Sequence, residues 1–135
     1  MKRTSFAIRV LFALCLLGAT FNHLRADIEH GLLWDYGLGN RAVFASRIYW
    51  SALTVLDPLA AVLLFAKPRA GIGLTALIIF SDVIHNTYYV AISDQWTESF
   101  YLSQVGFLVL VFALSPIAWR GLQSKTTIRE ANVRG

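Results

Sequence analysis

Charged residues make up only 15% of this chain, against about 25% in a typical soluble domain. A single cysteine, Cys15, excludes an intramolecular disulfide, a CxxC redox pair and a cysteine-rich metal site. No HExxH or comparable ligand spacing occurs, so no metal site is expected. There is no nucleophile elbow, phosphate loop or dinucleotide fingerprint. No basic run with interleaved aromatics marks a nucleic-acid surface, and nucleic acid is not an expected partner. Internal repeats and low-complexity segments are missing too. These gaps remove the common soluble enzyme classes and leave no cofactor implied.

What remains is apolar. Hydrophobic residues make up 56% of 135 positions, with mean hydropathy +0.56. That excess is too large for a soluble core of this size. A membrane-crossing helix needs about 20 mostly apolar residues, and four segments qualify: 6–24, 44–66, 70–92 and 100–119. The expected fold is therefore an all-α, integral membrane four-helix bundle. Residues 1–119 form one multi-pass domain and 120–135 a basic cytoplasmic tail. The bilayer is the first partner. The opening "MKR" fits the outline of a signal peptide, but Arg9 interrupts its apolar run and no A-x-A site precedes Asn22, so a retained helix is expected.

Orientation follows from lysine and arginine. With both termini inside, Lys2, Arg3, Arg9, Lys67, Arg69, Arg120, Lys125, Arg129 and Arg134 face the cytoplasm, nine of the twelve. Arg25, Arg41 and Arg47 lie outside, together with Asp27, Glu29, Asp35, Asp94 and Glu98. The positive-inside rule then gives N-in and C-in. The compact chain and this charge bias point to the bacterial inner membrane. In the first outer loop, Asp27 is placed to cap a short interfacial helix with Ile28, Leu32 and Tyr36 along one side. Gly37, Gly39 and Asn40 then break it. An ordinary interfacial segment, with Trp34 and Tyr36 at headgroup depth, is favoured over a lid.

The chemistry sits inside the spans. "IIFSDVIHNTYYVAI" (78–92) carries Asp82, His85, Asn86 and Tyr89 at helical i, i+3, i+4 and i+7 spacing. The second span carries Asp57 in "TVLDPLA", where Pro58 removes a backbone hydrogen bond and predicts a kink. The spans run antiparallel, and the two acids fall within about 4–5 Å of the same depth. Asn22 and His23 of the first span and Gln104 of the fourth reach the same outer half. The inner half is nearly all apolar. An ionisable group at mid-bilayer costs about 2.5–3.5 kcal/mol on insertion scales. Asp57 and Asp82 must then face inward and be paired, hydrated or neutral. At least one is expected to be neutral or paired with His85.

In length, span number and polar residues within the spans, the chain resembles the small four-helix DoxX-type proteins of bacterial membranes. It also resembles the four-helix domain of sterol isomerases and sigma-2 receptors, which implies a lipid-facing pocket lined by acids from several helices. No functional residue carries over. The leading expectation is an outward-opening polar cavity that binds a small amphipathic or lipid-like molecule. Asp57, Asp82, His85, Asn86, Tyr89, Asn22 and Gln104 would line it. Catalysis is not demanded. The competing expectation is a non-catalytic membrane subunit or assembly factor whose buried polar groups only specify packing. A homodimer or larger membrane complex is compatible with either.

Overall fold

The computed structural model describes residues 1–123. Within them are four α-helices: α1, Lys2–His30; α2, Phe44–Ala66; α3, Pro68–Ser93; and α4, Ser99–Gln123. Each contains an 18-residue window of mean hydropathy between 1.3 and 1.9. Their 23 to 29 residues span about 34–44 Å, more than the roughly 30 Å of hydrocarbon in a bilayer. By length and composition, all four can cross a membrane.

Local chemistry sets the helix ends. Lys67 alone separates α2 from α3, and Pro68 takes the first helical position of α3. Its missing N–H is harmless there. The expected three-residue link is thus mostly helix. At the other end of α3, Asp94 adopts a left-handed conformation (φ 54°) and its N–H bonds the Val90 carbonyl. Pro58 lies within α2 and Pro116 within α4, and both helices continue through them.

Each helix packs on its sequence neighbours, α4 closes against α1, and the α1–α3 diagonal is barely in contact. Short connections make such neighbours antiparallel. Gly71 lets α3 approach α2: a Cβ there would collide with the Leu64 backbone. Ser5 Oγ donates to the Ala118 carbonyl at 2.7 Å and ties α1 to α4.

The surface is apolar and the interior carries polar groups. Leu14, Phe21, Val55, Val62, Leu77, Ile84, Val109 and Phe112 are exposed. Ser5, Ser46, Asp57, Thr75, Asp82 and Asn86 are buried. A protein in water could not keep so much apolar surface. A bilayer makes that arrangement favourable, because lipid tails accept apolar side chains and buried polar groups join helices.

Two expectations need correction. The link between α1 and α2, expected to be an outer loop, holds no short helix of the kind expected. α1 runs on from the expected end at residue 24 to His30, so Asp27 lies in its last turn. The loop 31–43 contains only the three-residue turn Gly39–Arg41. The helix continues through "RADIEH", beyond its apolar stretch, until Gly31 ends it at φ 85°. The tail expected over 120–135 begins as the last turn of α4, and 124–135 lie outside the described residues.

Candidate functional site

α2 and α3 bring the two span acids together. Asp57 is 2% exposed and Asp82 6%, and they are close enough for their charges to interact. Their surroundings differ. Asp82 Oδ1 accepts a hydrogen bond from Asn86 Nδ2 at 3.0 Å, one helical turn on. Asp57 makes no hydrogen bond to any described residue. Its nearest ionisable partner is His23 of α1, with Nε2 3.9 Å from Oδ2.

Asn86 uses its whole amide. Nδ2 also donates to Gln104 Oε1 of α4 at 3.0 Å. Oδ1 accepts from the indole of Trp50 on α2 at 2.9 Å. Three helices are joined through one side chain, with no donor or acceptor wasted. Tyr89, one turn above, exchanges a 2.7 Å hydrogen bond with Ser46.

His85 occupies a different setting from the one its spacing suggested. It forms no ion pair with either acid among the described residues. Its ring lies 4.6 Å from that of Tyr49, 5.5 Å from Trp50 and 5.4 Å from Tyr89. Its Nε2 is buried without a hydrogen-bond partner. The imidazole nearest Asp57 comes instead from His23 of α1. Asn22 is the other departure: it lies on the exposed side of α1, while its neighbour His23 turns inward. The 100° step between consecutive helical residues admits one of them to the interior and keeps the other out.

Several contributors were not foreseen. Asp27, expected in the outer loop, lies in the last turn of α1 and its carboxylate accepts from Thr54 Oγ1 of α2 at 2.8 Å. Tyr36 OH meets His23 Nδ1 at 3.0 Å, and the Tyr36 ring sits 5.1 Å from Trp50. Burial, with the charges of Asp27 and Asp82 adding, pushes the Tyr36 phenol up to about 12. Loop 31–43 therefore folds inward onto the polar cluster. Leu33 N–H donates to Ser51 Oγ at 3.0 Å, and Arg47 donates to the carbonyls of Ala42 and Gly39. Leu33 and Tyr36 hold left-handed φ values of 61° and 53°. Each costs roughly 1–2 kcal/mol for a residue with a side chain. The surrounding hydrogen bonds and ring contacts keep them there. No span-by-span pattern could have revealed Tyr36, because a loop's path has no period.

In sum, the structure assembles Asp57, Asp82, His23, Asp27, Thr54, Trp50, Asn86, Gln104 and Tyr36 between the middle of α2 and α3 and the end of the bundle that carries loop 31–43, with Tyr89 and His85 alongside. No three His, Cys, Asp or Glu side chains among the described residues are grouped tightly enough to hold a metal ion. Compared with protein-family models, with curated proteins and with solved structures, the chain matches none. The four-helix membrane-type architecture is the class of protein that the fold defines.

Proposed function

We propose that this is a multi-pass membrane protein whose outer-half polar cluster binds a small amphipathic molecule, with Asp57 as the principal anchor. One observation carries the reading: Asp57 is buried, yet no described residue donates a hydrogen bond to it. A buried carboxyl without a donor is costly unless a proton, a water or a ligand satisfies it. The buried, unpartnered His85 Nε2 is a second unsatisfied group in the same half of the bundle. The matching ligand has a hydrogen-bond-donating head, hydroxyl or amine, and an apolar body. Asp82 adds a second carboxyl beside the first. The inward-folded loop carrying Tyr36 covers the outer end and is the natural gate. The basic ends of the helices face the cytoplasm in this reading, N-in and C-in, and the cluster opens away from it.

The competing role, packing specificity alone, has its own support. Asn86 is fully satisfied by Asp82, Gln104 and Trp50, as expected of a clamp between helices. The two roles divide among the residues: Asn86 and Gln104 hold the helices together, and Asp57 and His85 are left for a ligand.

The test uses purified protein in detergent with dodecylamine and dodecanol as probes. Wild type should gain thermal stability with at least one of them, and Asp57→Asn should lose that response while remaining folded. An equal response in Asp57→Asn would reject the anchor role. Response in neither protein, with Asp57→Asn less stable than wild type, would favour packing.

A further inference from the structure

The opposite end of the bundle carries a second feature that the polar cluster does not use. A cavity of about 400 Å³ opens there between the starts of α1 and α3 and the ends of α2 and α4. Lys2, Ser5, Phe6, Arg9, Phe65 and Pro68 are among its walls. Two of these are cations. The acids of the described residues, from Asp27 to Glu98, all lie at mid-span or toward the other end. Neither Lys2 nor Arg9 forms an ion pair among the described residues.

Arg9 is held in place rather than left free. Its Nη1 donates to the Leu64 carbonyl at 2.8 Å and its Nε to the Ser5 carbonyl at 3.3 Å. Its guanidinium lies 5.7 Å from the Phe6 ring centre and 5.8 Å from that of Phe65. A guanidinium has five N–H donors, so three remain for another acceptor. A planar donor fork fixed by its neighbours suits a phosphate better than a mobile ammonium does. Pro68 places the start of α3 on the same cavity, and helix starts favour negative charge.

We infer that this cavity binds the phosphate of an anionic phospholipid, with Arg9 and Lys2 on the headgroup. The apolar surroundings select a lipid over a free anion. Phe6 and Phe65 are 54% and 44% exposed and pack edge to face at 5.9 Å. They continue the cavity onto the lipid-facing surface, where an acyl chain can lie against them. Lys67 and Arg120 lie at the same end of the bundle and enrich anionic lipid near it, whereas the Arg69 guanidinium sits over the Trp119 ring, 5.9 Å from its centre. This site is independent of the polar cluster in the outer half.

The full chain in nanodiscs of phosphatidylcholine, with and without phosphatidylglycerol, tests this by native mass spectrometry of the ejected protein and its retained lipids. Wild type should retain phosphatidylglycerol over phosphatidylcholine. Lys2→Gln, whose side chain makes no internal bond among the described residues, should cut that preference by about fivefold, the equivalent of one lost cation near a lipid surface. Arg9→Gln should cut it at least as far, and Arg9→Lys should restore it in part. Arg69→Gln, outside the cavity, should change it little. Equal retention of both lipids by wild type would overturn the site. So would a preference that survives both Lys2→Gln and Arg9→Gln, or one lost equally in Arg69→Gln. Inorganic phosphate is the control: displacement of the lipid by millimolar phosphate would assign the cavity to the free anion.

Discussion

At the scale of single residues, this chain shows why buried polar groups are not interchangeable. Asn86 has two donors and an acceptor, all used; Asp57 has acceptors and no donor to meet them. Hydrogen bonds between membrane helices contribute about 0.6 kcal/mol each on average, with a ceiling near 1.7. Asn86→Ala, which removes two of them and a third bond within α3, should therefore cost about 1–2 kcal/mol, whereas Gln104→Leu removes one and should cost about 0.6 kcal/mol. Reversible unfolding in mixed detergent micelles measures both. Tyr36 yields a pH prediction. Its phenol is raised in the fold from 10 to about 12 by burial and nearby acids, so the fold favours the neutral form. The associated stability is complete below pH 10 and is lost as pH rises through 12. The ultraviolet difference spectrum between wild type and Tyr36→Phe should accordingly show its phenolate step near 12 instead of 10.

At the scale of helices, glycines separate close packing from open surface. Gly71 lies against the Leu64 backbone, with no room for a Cβ, while Gly73 and Gly106 have nothing within 4 Å. Gly71→Ala should push α3 from α2 and destabilise by about 1–3 kcal/mol, the usual range for overpacking. Gly73→Ala and Gly106→Ala should be neutral or stabilising by up to about 1 kcal/mol, from helix propensity alone. Thermal melts of the three variants in one detergent decide this, and equal losses in all three would contradict the packing. The spans themselves were legible in the sequence, because unbroken hydropathy over about 20 residues has few structural meanings. The extension of α1 through Asp27 was not. Polar residues beyond the apolar stretch carry no hydropathy signal, and whether they continue a helix depends on partners such as Thr54.

At the scale of the molecule, the acids of the described residues keep to mid-span and one end while Lys2, Arg3, Arg9, Lys67, Arg69 and Arg120 mark the other, the charge bias expected of a single insertion. With Cys15 replaced by serine, cysteines introduced at Trp96 and at Lys67 should react with membrane-impermeant maleimide from opposite sides of a sealed vesicle. Labelling of both from one side would refute the topology. The lipid-facing surface, the buried Asp82 and the buried Asn86 all follow from one rule: what water would cover in a soluble protein is here covered by hydrocarbon.

The sequence by itself determined that four helices of membrane length exist, and that α3 carries Asp82, Asn86 and Tyr89 on one face. Period and hydropathy are local properties, readable from neighbours along the chain. Only the tertiary structure decided that Asp57 meets His23 instead of His85, that Asn22 faces out, and that Tyr36 folds inward. Those outcomes depend on helix rotation and loop path, which are set by packing between segments far apart in sequence.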